Sequence, residues 1–314
     1  MIEAVLIVSY ARKENTLRLI DESIKAGMRS IYVSIDGPPD TSIQKIQSEL
    51  TFEIANIATC FTGEIKIWQR KVNMGSGASM IASLDWVFTQ ETAVCILEDD
   101  LVISQDFFTF INIGILEMQS NKNLKIVTGT NPFSELTKEM PGKVNYPVSW
   151  GWATTRGNWS QLRHLIFHVH PSNPTFYDLK RNQFWKVGKK RALLGRIEAW
   201  DVPLASEMCK TNFFTLIPPS NLIKNIGFDQ FAVHTSQSIW PLNLPTSPLA
   251  NLNEFVFFDD QLVNLNKEFE SKVFKIRVRH HFVWIAHLVM DRFRFGNPPG
   301  SLLERSQSEK FPHS

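Results

Sequence analysis

Ala93-Val94-Cys95-Ile96-Leu97-Glu98-Asp99-Asp100-Leu101 is an apolar run that ends in three consecutive carboxylates. An apolar run of this length, rich in β-branched residues, reads as a strand buried on both faces, the kind found in largely parallel sheets covered by helices. In open α/β sheets, ligands sit beyond the carboxyl ends of the strands. Three adjacent acids cannot all ionise unless positive charge shares their field, and a divalent cation with a phosphate-bearing substrate meets that need. The run therefore marks Asp99 and Asp100 as a candidate metal and nucleotide site. A solvated acidic turn is the competing reading, and the position of the acids at a strand end is what argues against it.

The flanks repeat the pattern. Residues 4 to 9 are apolar, Asn15 to Ala26 carries Leu17, Ile20 and Ile24 at the spacing of one helix face before Gly27, and Ile31 to Ile35 forms a second strand. The right-handed crossover of such a unit brings both strand ends to one edge. Ser9-Tyr10-Ala11-Arg12 stands at the first end and Asp36-Gly37-Pro38-Pro39 at the second. Asp36 reads equally as a hydrogen-bond partner for a nucleotide and as part of a plain turn.

A helix is expected from about Ser42 to Ala58 and a third strand over Glu64 to Arg70. Lys71-Val72-Asn73-Met74-Gly75-Ser76-Gly77-Ala78-Ser79 then leads into a helix bearing Ile81, Leu84, Trp86, Val87 and Phe88. Glycines ahead of a helix start let backbone N–H groups approach an anion, and Lys71 adds charge. The segment matches neither the dinucleotide fingerprint nor the Walker loop, so an ordinary start capped by Asn73 competes. Beyond the acids, Phe107, Phe108, Ile111 and Ile115 give a further helix its buried face, and Leu124 to Gly129 is another strand. From Pro132, Pro141 and Pro147 onward the clean alternation stops. This divides the chain into a nucleotide-binding half at 1–130, an acceptor-binding half of the same domain at 131–265, and a C-terminal segment at 266–314.

In the second half, Trp150, Trp152 and Trp159 fall within ten residues. They read as a platform for sugar rings or bases, or as plain core. Glu198-Ala199-Trp200-Asp201 places carboxylates just before an apolar helix face of Val202, Leu204, Ala205 and Met208, where Asp201 is also a natural cap. Phe213 to Ile217 is a strand, followed by a loop through Asn225-Ile226-Gly227 and then His234. The eight histidines show no HExxH or other metal-ligand spacing, so no zinc site is expected.

Composition sets the bounds. At 314 residues and 43% hydrophobic content the chain builds one large α/β domain or two smaller ones, and a formal charge of +2 gives no argument for nucleic acid. Cys60, Cys95 and Cys209 show no paired spacing, which points to reduced thiols and a cytoplasmic location. The start of the chain carries no leader pattern, and no window reaches the roughly 18 apolar residues of a spanning helix.

Taken together, these residues resemble the metal-dependent nucleotide-sugar glycosyltransferases of the GT-A fold, and within them the N-acetylglucosaminyltransferase I type and its bacterial relatives. The resemblance is clearest over Ala93 to Phe108, where a strand, Glu-Asp-Asp-Leu and Asp-Phe-Phe recur in family order. Arg12, Val33-Ser34-Ile35-Asp36, Trp150-Gly151-Trp152, Trp200-Asp201 and Asn225-Ile226-Gly227 to His234 follow in the family's sequence of appearance. It implies an α/β, GT-A-like fold: a Rossmann-like half with a mostly parallel central sheet, fused to a mixed α/β acceptor half. It also implies that Asp100 binds Mn²⁺ or Mg²⁺, that Glu98 and Asp99 contact the nucleotide sugar or support the metal, that Arg12 and Asp36 hold the nucleotide's base, and that Asp201 is the general base; Lys71 joins the donor-binding residues from its charge beside the glycines, outside the resemblance. Trp150, Trp152 and Trp200 would face the acceptor, with His234 nearby.

The expected activity is that of an inverting hexosyl- or N-acetylhexosaminyltransferase of polysaccharide biosynthesis. It would take a nucleoside diphosphate-sugar, UDP-linked in the first instance, to a hydroxyl of a glycan or lipid-linked acceptor. A sugar nucleotidyltransferase shares the strand-end acids, but usually has a glycine-rich loop after the first strand, and Ser9-Tyr10-Ala11-Arg12-Lys13 has no glycine. A non-catalytic glycan-binding protein of the same fold is the third possibility. Residues 272–295 mix arginines with aromatics, which suits either peripheral contact with the inner face of a membrane or a helix docked on the core. Ser301 to Ser314 read as a polar, frayed tail.

Overall fold

Successive side chains of a strand point to opposite faces, and in β1 (Ala4–Ser9) and β4 (Ala93–Glu98) both faces are apolar. Val5, Ile7, Cys95 and Leu97 enter one core, while Leu6, Val94 and Ile96 enter another on the opposite side. Strands of this kind need cover on both sides. On the first side it comes from α1 (Lys13–Lys25), α2 (Thr41–Cys60) and α4 (Phe107–Ser120), through Leu19, Leu50, Ile54, Phe107 and Ile111. On the second it comes from α3 (Ser76–Val87), α6 (Arg156–Phe167) and α8 (Asp201–Met208), through Ile81, Trp86, Leu162 and Leu204. The computed structural model describes residues 2–137, 140–168, 179–227, 246–249, 262–271 and 300–312. His234 and residues 272–295 lie outside them.

The fold is α/β, and the further strands of its central sheet are β2 (Ser30–Ile35), β3 (Glu64–Gln69), β6 (Leu124–Thr128), β7 (Gly142–Val144), β8 (Trp152–Thr155), β9 (Phe214–Ile217) and β11 (Val263–Asn264). Among the described residues this sheet has nine strands, in the order β11-β7-β9-β6-β8-β4-β1-β2-β3. The pairings make β1, β2, β3, β4, β6 and β9 run one way and β7, β8 and β11 the other. The mostly parallel sheet expected from the sequence is therefore present. The carboxyl ends of β1, β2, β4 and β6 share one edge, and the start of β8 faces the same way. β8 wedges antiparallel between β4 and β6, with Trp152 opposite Ile96 on one side and Thr128 on the other, so the sheet runs unbroken across position 130.

At that edge the chain leaves β4 through the Asp99-Asp100 turn and enters β5 (Leu101–Ile103), which pairs antiparallel with β10 (Ile223–Asn225) in a separate two-stranded sheet. α5 (Ser134–Thr137) and α7 (Leu179–Leu193) complete the helices before α8. A third apolar cluster lies beyond β9, with Phe133, Tyr146, Trp185 and Ile217 at its centre and Tyr146 stacked on Phe269 at 4.4 Å between ring centroids.

Two expectations are corrected. The cap of α3 is Gly75, at φ 78°, while the Asn73 side chain accepts from Gly75 N–H at 3.2 Å and donates to the Gly37 carbonyl at 2.9 Å, reaching no N–H inside the helix. The tail is docked rather than frayed over residues 300–312. A helix at Leu302–Ser306 opens with a capping box between Ser301 and Glu304, its Leu302 is fully buried in the α3 core, and Phe311 packs edge-on against Trp68 at 5.4 Å. These contacts span more than two hundred residues, which local polarity does not reveal. Leu302→Ala is expected to lower the unfolding free energy by about 2–4 kcal/mol in urea titration. Leu303→Ala, at a position 37% exposed, should cost less than about 1 kcal/mol. Equal effects would mean that the segment is not docked.

Candidate functional site

The parallel register of β1 and β4 sets Val8 beside Glu98, so the turn after β4 lies against the loop after β1. Asp99 turns into that loop. Its Oδ2 accepts from Tyr10 N–H at 2.8 Å, Ser9 Oγ at 3.2 Å and Arg12 N–H at 3.4 Å, and its Oδ1 accepts from Arg12 Nη1 at 3.0 Å. The carboxylate is 4% exposed. Asp99 thus acts as an internal anion that fastens the start of α1 to the end of β4, and Arg12 is its ion-pair partner.

Asp100 stands differently. Its carbonyl accepts from Ile226 N–H at 2.8 Å, and Gly227 approaches so closely that a Cβ there would collide with Asp100 Oδ2. Asp100 Oδ1 is buried without a hydrogen bond among the described residues. Burial, and then the charge of Asp99, push the Asp100 carboxyl up to about 6, with Arg12 and the Asn225 side chain pulling the other way. Glu98 is pushed well above the ordinary carboxylate range by burial first, and then by the charges of Asp100, Asp99 and Asp201. The field of Asp201 reaching Glu98 puts both in one electrostatic neighbourhood. Asp201 is the first residue of α8 and follows Trp200, which stacks on Trp152 at 5.4 Å and 21°. Since Trp152 lies in β8 opposite Ile96 of β4, this stack brings the helix start to the acid edge.

A buried carboxylate oxygen without a donor is costly, and a divalent cation held by one or two carboxylates plus substrate phosphates relieves it. Asp100 fits such an ion. Among the described residues no three His, Cys, Asp or Glu side chains form a cage of their own. A cation here takes ligands beyond these described side chains, and substrate phosphates and water suit that place.

Asp36, at the end of β2, is 6% exposed. Its Oδ1 accepts from Gly37 N–H at 2.9 Å and Met74 N–H at 3.0 Å, and its Oδ2 from Gly75 N–H at 3.0 Å, which ties the strand end to the loop before α3. Burial raises its pKa. The α3 N-terminus, which the sequence left between an anion cradle and an ordinary helix start, holds the chain's own carboxylate: Glu198 Oε2 accepts from Ser76 N–H at 3.0 Å. Lys71 is exposed, and its N–H, with that of Val72, donates to Glu309 Oε1 at 2.9 and 3.0 Å. Tyr10 shows how acidic the edge is, since its pKa is raised by burial and then by the charges of Asp36, Asp40 and Glu198.

The tryptophans separate. Trp152 is fully buried and Trp200 is 7% exposed, their faces taken by each other and by Trp159, so neither offers the open platform that the sequence proposed. They are core residues that carry the start of α8. Trp150 is half-buried, and its carbonyl accepts from Thr130 Oγ1 at 2.7 Å.

Sequence reasoning did not single out Arg70, Asn131 or Glu198 as polar anchors of this edge. Arg70 is 1% exposed, donates to Ser34 and Ser83 Oγ at 2.8 and 2.9 Å and lies 4.0 Å over the Trp68 ring. Burial pushes its pKa down to about 10, against the pull of Asp36. A signal existed in the serines that interrupt otherwise apolar positions. Asn131 is fully buried and its Nδ2 donates to Thr137 Oγ1, Pro218 O and Pro219 O at 2.8, 2.6 and 2.9 Å, which pins the ends of β6 and β9 together.

No family model and no curated protein matches this chain. Among solved structures, mannose-1-phosphate geranyltransferase from Thermus thermophilus is similar over 69% of this chain and 74% of that one, at 9% identity and a TM-score of 0.32. A likeness of that degree bears on neither activity nor ligand. No helix among the described residues is long and apolar enough to cross a membrane.

The raised Asp100 carboxyl has a measurable consequence. In the absence of divalent cations, folding takes up a proton between the ordinary Asp value of 3.8 and about 6, so stability falls as pH rises through that window. Asp100→Asn removes this contribution to the fall. The variant is expected to match the unaltered chain below pH 4 and to be more stable at pH 7 by about 3 kcal/mol in urea titration. A variant less stable at pH 7 would contradict the assignment.

Proposed function

We propose that this chain is a GT-A-type, metal-dependent inverting glycosyltransferase that moves a sugar from a nucleoside diphosphate, UDP in the first instance, to a hydroxyl of a glycan or lipid-linked acceptor. One observation carries the reading. At the end of the central buried strand, Asp100 keeps a buried carboxylate oxygen without a hydrogen bond among the described residues, beside Glu98, whose own carboxyl is raised by burial and then by the charges of Asp100, Asp99 and Asp201. Carboxylates short of positive charge at a sheet edge suit a divalent cation that arrives with a diphosphate.

In this reading Asp100 holds Mn²⁺ or Mg²⁺, which when bound supplies Lewis-acid stabilisation of the departing diphosphate. Asp201 takes the proton from the acceptor hydroxyl as that oxygen bonds to the anomeric carbon and the sugar–phosphate bond breaks. A single displacement of this kind inverts the anomeric centre and needs one base and no covalent nucleophile. Asp99, Arg12 and Asp36 are bound to backbone or to each other, so they serve the donor by fixing the loops that line the edge. Trp150 is the aromatic left to contact the acceptor.

Two variants test the roles. Asp100→Asn is expected to abolish the Mn²⁺-stimulated part of sugar transfer, leaving a remainder that EDTA does not change. Asp201→Asn should lower kcat by about 10²–10⁴-fold, with UDP binding in the presence of Mn²⁺ unaltered by calorimetry. Full turnover by either variant would overturn its assignment.

A further inference from the structure

Three parts of the chain meet at the first turn of α3: the residues themselves, the segment Glu198-Ala199-Trp200-Asp201, and the helix Leu302–Ser306. Ser76 grips Glu198 twice. Its N–H donates to Glu198 Oε2 at 3.0 Å and its Oγ–H donates to the Glu198 carbonyl at 3.1 Å. The glycines make this approach possible. A Cβ on Gly75 would collide with the Glu198 carboxylate, and one on Gly77 would stand 3.2 Å from the Ala199 nitrogen and 3.4 Å from Leu302 Cδ1. From the C-terminal helix, Arg305 Nη1 lies 3.5 Å from Glu198 Oε1 and donates to the Met74 carbonyl at 3.0 Å. Met74 and Gly75 are in turn held through their N–H groups by Asp36.

We propose that Glu198 is a positioning residue that fixes Asp201 at the acid edge, and that Arg305 is the second half of the clamp. The proposal rests on the reading of Asp201 as the base. Three residues of chain reach at most about 10 Å, so pinning Glu198 to α3 confines where Asp201 stands. The Trp200–Trp152 stack supplies a second pin between them. Two points of attachment on either side of Ala199 leave the approach to α8 little freedom to swing. The C-terminal segment, far from Asp201 in sequence, thereby takes part in turnover. A carboxylate that merely stabilised the α3 dipole would change stability and leave the turnover of folded molecules alone.

The test uses the full chain with Glu198→Ala, Glu198→Gln and Arg305→Met, measuring UDP-sugar transfer with Mn²⁺, binding of UDP with Mn²⁺, and backbone amide hydrogen exchange. Glu198→Ala is expected to lower kcat by about tenfold to a hundredfold, with donor KM and UDP affinity changed by less than about twofold. Glu198→Gln should recover most of the turnover, because its amide oxygen still accepts from Ser76 N–H, and Arg305→Met should fall between the two. Amides over residues 195–201 should exchange faster in Glu198→Ala than in the unaltered chain, with no change over 93–103. Unchanged kcat per folded molecule, or unchanged exchange over 195–201, would overturn the proposal. The exchange measurement does not depend on turnover. A chain that transferred no sugar would sink the glycosyltransferase reading, while exchange still decided whether Glu198 holds this segment.

Discussion

The constraint on which the structure turns is the crowding of negative charge at the end of a strand that has no water on either face. β4 is apolar on both sides and ends at Glu98, the next two residues are aspartates, and α8 adds Asp201 to the same field. Like charges in a poorly solvated corner raise one another's pKa, and they stay ionised only where hydrogen-bond donors or cations reach them. How each acid is satisfied separates those that build the edge from those left to do chemistry.

Three acids of the edge are bound by backbone N–H groups. Asp99 holds the loop after β1, Asp36 the loop before α3, and Glu198 the first turn of α3. Each uses its charge to fasten one strand end or helix start to another, so the loops of a sheet edge are fixed without a hydrophobic core of their own. Asp100 shows the contrast, with one oxygen buried and without a hydrogen bond among the described residues. That difference, rather than the mere presence of three acids in a row, supports a cation at this position.

Much of this was legible in the chain. Alternation on two apolar faces gave the strands β1, β2 and β4 and their shared edge, because burial on both sides leaves a continuous apolar run. The acid turn was legible because it interrupts that run abruptly. The insertion of β8 between β4 and β6 was not, since pairing across tens of residues leaves no local mark. The tryptophans stayed undecided in the sequence for a related reason. Aromatic faces suit a sugar or a core equally well, and it is the stacking of Trp200 on Trp152, set by tertiary packing, that decides. The glycines at 75 and 77 pointed to a close approach by an anion, as their sequence implied. The anion is the carboxylate of Glu198, which no spacing rule connects to them.

The central claim is that a cation belongs at Asp100. Its most direct measurement is anomalous diffraction at the manganese edge from crystals grown with MnCl₂ and UDP. The account predicts one strong peak bonded to an Asp100 carboxylate oxygen and to phosphate oxygens of the nucleotide. Bound UDP with no peak there, or with manganese held only by other side chains, would contradict it.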